Sequence, residues 1–395
     1  MAITRLGPNQ DITAAKIAGQ INFKNLIING DMSIAQRGTQ TGVTTNTYGS
    51  PDRWLTALTT LGTWTISQDT DVPTGQGFAN SLKLDCTTAD ASPAAGDRIF
   101  LTQRLEGQML QSLKKGTSNA ESTTVSFWVK SNVTGTYILE LFDNDNTRQV
   151  SKTYTIDSAS TWEKKTITFD GDTTGTLDND NNASLYVQWW LGAGTNWTSG
   201  TASGSWATNT NANRAAGLTA NIGSDTANNF WITGVQLEVG TSASDFEFLP
   251  KDINLQRCMR YYQIYSYMGN PGSEVGYSLP IRQSSAGNRQ WMITTTLPVP
   301  IRSTSPTMSW DAARSGNAGG AYDGSWLYET GSAGNKWVAP QNFFMYANYG
   351  GSPVSSASYL SENLGTITSV ITDNVNFTSG ETVTFSSRLI VDAEL

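Results

Sequence analysis

Histidine occurs nowhere in the 395 residues. That absence removes Ser-His-Asp and Cys-His nucleophilic catalysis, the usual histidine-bearing zinc sites and imidazole acid–base work. Any surviving chemistry belongs to carboxylates, lysine or tyrosine. Cysteine is nearly absent too: Cys86 and Cys258 stand far apart, without metal-ligand spacing. Two buried free thiols and one bridge between domains both fit that pattern, so the redox compartment stays open. Charged residues make up only 15% of the chain, and the balance is acidic, at −8 with a pI near 4.7. No run of Lys or Arg interrupts it, and such a surface repels phosphate backbones, which argues against nucleic acid as a partner. No apolar run approaches the roughly 18 residues of a spanning helix, so no membrane insertion is expected. The start, Met1-Ala-Ile-Thr-Arg-Leu-Gly-Pro8, lacks a basic segment followed by an apolar one and predicts no signal peptide. Heptads, Gly-X-Y tracts and fixed-period repeats are missing, which excludes a long fibrous shaft.

Glycine, tryptophan and tyrosine are frequent instead, at 37, 13 and 14 residues. The Ala/Leu/Glu/Lys mixtures of helices are scarce, so the class is all-β. A chain of this length is expected to hold two domains of roughly 100–200 residues each. Period-two alternation predicts strands at Trp64–Gln68, Ser81–Asp85, Ile99–Leu105, Thr123–Lys130, Tyr137–Phe142, Gln149–Ile156, Glu163–Phe169, Leu185–Trp190 and Phe230–Val239. Many short strands separated by Gly/Asn/Asp/Thr-rich turns favour a two-sheet sandwich of the jelly-roll kind over an α/β fold. Gly234 breaks the last of these strands, the mark of a bulge or kink.

Composition changes after Pro250, which divides the chain into an arm at residues 1–24, a jelly-roll domain at 25–250 and a second, β-sandwich-like domain at 251–395. The arm holds a short helical pattern, Asp11–Gly19, marginal by itself. It reads as an attachment segment ordered by a partner; a frayed end is the plain alternative. In the last domain Leu255, Met259 and Tyr262 fall on one helical face. Strands follow at Val275–Ile281, Gln290–Leu297, Pro306–Trp310, Phe343–Asn348, Val370–Asn376 and Glu381–Glu394.

Aromatic rings are the usual platform for sugars, because pyranose C–H faces pack on them while polar groups fix the hydroxyls. Trp197 and Trp206 lie in the long polar loop Ala193–Thr226 and are candidates for ligand or subunit contact. Trp310, Tyr322, Trp326, Tyr328 and Trp337 are spread through Gly/Ser/Asn-rich loops, the composition of an adaptable binding surface. Packing among subunits is the alternative for those five. Trp128 and Trp231 sit inside strong strands and read as core. Trp189 and Trp190 put one ring on each face of a strand, with one in the core and the other at a surface, or both in the core. Asp143, Asp145, Asp170, Asp172, Asp178 and Asp180 offer hard oxygen ligands for a structural calcium, although none fits the twelve-residue loop pattern and all are ordinary turn residues. No other cofactor is called for. Asp52–Arg53 and Arg104–Glu106 read as cross-strand pairs that Glu238 and Glu247 can join. No carboxylate pair stands out with the separation of about 5–10 Å that a glycosidase needs.

Several blocks together resemble a known family. They are Asn25-Leu-Ile-Ile-Asn-Gly-Asp-Met-Ser-Ile-Ala-Gln-Arg-Gly38, Asp52-Arg53-Trp54, Gln103-Arg-Leu-Glu106, Ser126-Phe-Trp-Val-Lys-Ser131, and Phe230–Gly240 with Phe246-Glu247. In this order they resemble tailed-phage tail-fibre and other virion structural proteins that carry a carbohydrate-binding-module-like β-sandwich. Leu255–Tyr262, Leu297-Pro-Val-Pro-Ile-Arg302 and Asp392-Ala-Glu-Leu395 resemble the distal domain that follows in such proteins. The resemblance implies a non-enzymatic virion appendage of short tail-fibre or spike type, assembled as a homotrimer. It would join other virion proteins through the arm and attach to host-surface glycan by multivalent binding. A capsid decoration or head fibre is the alternative, and a glycan depolymerase the third reading.

Overall fold

In the computed structural model the first strands of the chain are an irregular one, β1 (Gln40–Tyr48), and a long one, β2 (Leu55–Asp69). The structure describes residues 23–267, 281–283, 289–302, 307–311, 326–330, 336–338, 342–346, 366–373 and 382–395. Two compact units separate by contact, Met1–Asn254 and Leu255–Leu395. The expected helix at Asp11–Gly19, Tyr322 and much of Val275–Ile281 lie outside the described residues.

Strand β2 belongs to two sheets. Leu55–Thr60 pair with β4 (Arg98–Glu106), and Thr63–Asp69 pair with β3 (Ser81–Thr88). The remaining strands of the unit are β5 (Thr123–Ser131), β6 (Gly135–Asp143), β7 (Arg148–Ile156), β8 (Glu163–Phe169), β9 (Ala183–Ala193), the short β10 (Ala207–Thr208) and β11 (Asn229–Val239). They run in the order β10-β7-β6-β9-β4-β2-β3-β11-β5-β8, with β1 beside β2 and every pairing antiparallel. The late strands β9 and β11 each insert between two earlier ones, in opposite sheets. That is the Greek-key wiring of a jelly roll.

The two sheets face one another across rings that alternate inward. Trp189 of β9 meets Trp54 at 5.6 Å and Phe127 of β5 at 5.6 Å; Tyr137 of β6 meets Phe230 of β11 at 6.0 Å. All five rings are essentially inaccessible. Each such burial contributes about 2–3 kcal/mol, and each edge-on pair roughly 1 kcal/mol more. Cys86 and Cys258 are both buried, and no disulfide joins them.

Several of the sequence blocks quoted above meet at one place. Gln103 points into the core and its amide donates to the Ile28 carbonyl at 2.8 Å while accepting the Ile28 N–H at 2.7 Å. Asn25 accepts from Leu237 N at 3.1 Å and donates to the Val235 carbonyl at 3.1 Å. Asn29, in the left-handed region at φ 57°, donates to the carbonyls of Ile34 and Asp52, and its own carbonyl accepts the Trp54 indole N–H at 3.1 Å. Asp52 accepts from Gln36, and burial raises its pKa against the pull of Gln36 and Arg37. Glu238 and Glu247 do not join the arginines, contrary to expectation. Glu238 accepts from Gln236 and Ser244, and Glu247 accepts the N–H groups of Phe23 and Asn25. Glu247 sits where the entering chain crosses β11 and supplies the acceptor its N–H groups need, while Glu238 holds the turn after β11.

The helix α3 (Lys251–Met259) buries Asn254 and Cys258, with Tyr261 and Tyr262 buried after it, while Leu255 and Met259 of the expected face are half-buried. Asn254 bonds Asn29, Asp31 and Ser33, which turns the polar residue inward, and Tyr262 already opens a strand. The second unit forms two antiparallel sheets. One orders β12 (Tyr262–Tyr267), β20 (Thr382–Asp392), β16 (Trp326–Thr330) and β17 (Lys336–Val338), with β15 (Thr307–Asp311) also on β20. The other orders β13 (Ile281–Gln283), β14 (Arg289–Thr296), β19 (Thr366–Asp373) and β18 (Asn342–Tyr346).

Backbone approach at the crossing makes a direct prediction. A Cβ on Gly30 would lie 2.0 Å from the Val235 carbonyl oxygen, whereas one on Gly204 meets nothing within 4 Å. Gly30→Ala is expected to cost about 2–3 kcal/mol and Gly204→Ala no more than about 0.5 kcal/mol, read as chemical-denaturation midpoints. Equal midpoints for the two variants would remove the crossing from the fold's stability.

Candidate functional site

Alternation sends the second set of β4, β6, β7 and β9 side chains away from the core, and register lines them up in rows. Ser151, Glu140, Gln188 and Thr102 form one row; Gln149, Phe142, Tyr186 and Arg104 form the next. A third row brings Ile138, Trp190 and Phe100 together.

Two short helices from the long loop lie over this face, α1 (Thr195–Thr198) and α2 (Asn211–Arg214). From α2, Arg214 reaches down to Glu140 through Nε at 2.8 Å and Nη2 at 3.2 Å, and donates to Gln188 at 2.6 Å. Trp190 donates its indole N–H to the same Glu140 carboxylate at 2.8 Å. The buried charge is thus matched by a bidentate guanidinium and an indole donor, the arrangement in which such a pair is tolerated. The Arg214 guanidinium also lies 4.6 Å from the Phe142 ring centre and 5.4 Å from that of Trp190.

Beside this roofed polar row, Phe142, Tyr186 and Arg104 of the second row stay half-buried, while Gln149 is buried. Tyr186 and Phe142 are neighbours at 5.7 Å, tilted by 42°, and the Arg104 guanidinium stands 5.0 Å from the Tyr186 ring. Burial raises the Tyr186 pKa and Arg104 opposes that shift, so the phenol keeps its proton at neutral pH. Thr102 Oγ1 and Gln149 Nε2, on the same face, are buried without a hydrogen-bond partner among the described residues. The face offers rings, guanidinium donors and unspent polar atoms. Glu140, its central carboxylate, is committed to Arg214 and Trp190. An open depression of about 520 Å³ lies elsewhere, against Thr45, Thr59, Thr63, Thr88 and Asp90, and has no aromatic wall.

Of the binding candidates named from the sequence, Trp197 belongs to this face, stacked 4.4 Å from the Arg98 guanidinium and 5.6 Å from Trp190, with its N–H on the Gly96 carbonyl. Trp206 does not. It packs on the main core, donates to the Asp170 carbonyl at 2.9 Å, and covers the Lys115 ammonium at 4.8 Å. Trp189 and Trp190 are both fully buried, on opposite faces. Trp128 and Trp231 are half-buried on the outer face of the second sheet, not in the core. Phe230 and Ile232 take the inward positions of β11, so Trp231 alternates outward between Lys83 and Lys130, its N–H on Asp69. Trp326, Tyr328 and Trp337 lie on strands β16 and β17 instead of in loops, with Tyr328 opposite Trp337, and Trp310 lies on β15, where the strand Pro306–Trp310 was expected. Arg104, Phe142, Tyr186, Gln188 and Arg214 were not expected as binding residues. Leu185-Tyr-Val-Gln-Trp189 holds the only sequence signal for them, an alternation whose outward members are Tyr186 and Gln188.

The acidic candidates do not fit a metal. The Lys115 ammonium, nearly inaccessible, contacts Asp143, lies 2.9 Å from Asp172, and donates to the carbonyls of Thr174 and Gly175. Arg148 grips Asp172 through two nitrogens at 2.7 and 3.0 Å. Asp145 accepts the Asp178 N–H, Asp180 accepts from Asn182, and Asp170 serves through its carbonyl. No group of three or more metal-ligating side chains occurs among the described residues. No helix among them is long and apolar enough to cross a membrane.

No protein-family model matches the chain, and no curated protein matches it. Solved structures do. The enzymatically active domain of tailspike protein 4 of bacteriophage CBA120 matches at 14% identity and TM-score 0.30, over 55% of this chain but only 21% of that one. The C-terminal family 22 carbohydrate binding module of Clostridium thermocellum Xyn10B matches at 14% and 0.26, over 52% and 98%. The family 11 carbohydrate-binding module of cellulase Lic26A-Cel5E of the same organism matches at 12% and 0.25, over 51% and 98%. At these scores the likeness carries no functional weight.

The Lys115 site generates a pH prediction. Burial alone would raise the Asp172 pKa, but hydrogen bonds from Arg148 and Lys115 hold it below the ordinary 3.8. A carboxylate depressed in the folded state stabilises fully above its unfolded pKa, and the stabilisation is lost as pH falls through the folded value. Melting temperature is therefore expected to fall as the pH drops below about 4, with a shallower fall in Asp172→Asn. Lys115→Met is expected to cost about 3 kcal/mol at neutral pH. A melting temperature of Lys115→Met equal to the parent's would show the ammonium to be dispensable.

Proposed function

We propose that the chain is a virion attachment protein of short tail-fibre or spike type that holds host-surface glycan without cleaving it. The observation that carries the glycan part is the Tyr186–Phe142 shelf, half-open, between Arg104 and the Gln188 row. A pyranose packs its C–H face on such rings, and in-plane guanidinium and amide donors fix its hydroxyls. Glu140 is held by Arg214 and Trp190, which favours binding over acid–base work in this cleft; a depolymerase ranks below it. The virion part rests on the ordered sequence blocks. In a homotrimer, with several copies per particle, weak sites combine through effective concentration. A capsid decoration is the structural alternative.

Tyr186→Ala combined with Phe142→Ala is expected to lower affinity for host-surface polysaccharide about 10- to 30-fold with an unchanged circular dichroism spectrum. Trp326→Ala with Trp337→Ala is expected to leave that affinity within about twofold, the scatter of such a comparison. The reverse pattern would move the contact to the second unit. Imaging that places the chain on capsomers would favour decoration.

A further inference from the structure

Building on the glycan reading of the same face, we propose that the ligand is an acidic saccharide whose ring carboxylate is received by Arg98. The face holds Arg98, Arg104 and Arg214, and its central carboxylate, Glu140, is taken up by Arg214. Among the described residues Arg98 forms no ion pair and no side-chain hydrogen bond, and its Nε is buried without a partner. An unmatched guanidinium in such surroundings is unfavourable unless something compensates it.

Arg98 is nevertheless held in place. Its guanidinium lies 4.4 Å from the Trp197 ring centre and 5.7 Å from that of Phe100. Trp197 is itself tethered, its indole N–H on the Gly96 carbonyl and its backbone N–H on the Gly194 carbonyl at 3.1 Å. A guanidinium fixed against a ring keeps its in-plane N–H donors free, and that fork matches a planar carboxylate. Burial and the neighbouring Arg214 charge both press the Arg98 pKa downward. A bound carboxylate relieves both effects. Trp197 and Trp190 connect Arg98 to Arg214 and onward to Phe142.

The test compares oligogalacturonate with its methyl ester, the same sugar with and without charge, by calorimetry on the full chain. The free acid is expected to bind about tenfold tighter at low salt, with the ratio shrinking at high salt. Arg98→Gln is expected to bring the acid-to-ester ratio to about one, and Arg98→Lys to an intermediate value, because a lysine keeps the charge but loses the fork. Thermal melting of both variants establishes that they fold. Acid and ester binding alike, with both weakened by Tyr186→Ala, would overturn the anion assignment and leave the glycan reading standing. Binding of neither form, or binding indifferent to Tyr186→Ala, would overturn both.

Discussion

The first unit depends on one crossing. The entering segment, Asn25 to Gly30, lies across β11, with Leu26 N–H on the Leu237 carbonyl and Val235 N–H on the Gly30 carbonyl, and side chains serve the rest: Gln103 of β4, Asn25 itself, and the Trp54 indole donating to the Asn29 carbonyl. Buried backbone groups must be paired, and here no regular ladder pairs them. Amides with a donor and an acceptor apiece, placed in the core, do so instead. Gly234, at φ 62° and pressed against Phe78, provides the bulge that brings Val235 to Gly30. Because Gln103 sits on β4 and Val235 on β11, the crossing links both sheets and fixes their alignment.

That alignment decides what the outer face can do. The inner side of the β6–β9–β4 sheet is filled by Leu139, Leu141, Val187, Trp189 and Leu101, so its strands cannot shift without opening the core. Their outward rows inherit the rigidity. Glu140, Gln188 and Arg214 form a closed polar layer, and on it stand the half-open Tyr186, Phe142 and Arg104. A site on strands is positioned more closely than one on loops. The loop contributes the parts that must reach over the sheet, Arg214 and Trp197. A second fastening, Lys115 between Asp143 and Asp172, ties the turn segments at the other side of β6 with a cation supplied by the chain.

Much of the fold was legible because alternation reports burial directly. The strands from Ser81 to Val239, the two-residue β10 excepted, were placed within a residue or a few of their observed bounds. β1 was missed, since its Thr-rich sequence is mostly exposed and carries no apolar period. The binding face was harder. Tyr186 and Gln188 are one residue away from Val187 and Trp189, and only the register with β6 shows that they stand beside Phe142 and Glu140. Arg98 and Arg214 belong to distant segments, so nothing local could join them. Lys115 was invisible for the same reason: Asp143 and Asp172 looked like calcium ligands because the cation they hold lies in another segment. The loop tryptophans drew attention by composition, yet Trp206 is structural and Trp197 works through the arginine it supports.

Whether the outer face of the β6–β9–β4 sheet receives a saccharide is decided by a crystal structure of the chain with an oligosaccharide from the host surface. The expected complex has a sugar ring packed on Tyr186 and Phe142 within hydrogen-bond reach of Arg104. A sugar bound at another surface, with Tyr186 and Phe142 bare, would refute the assignment of this face.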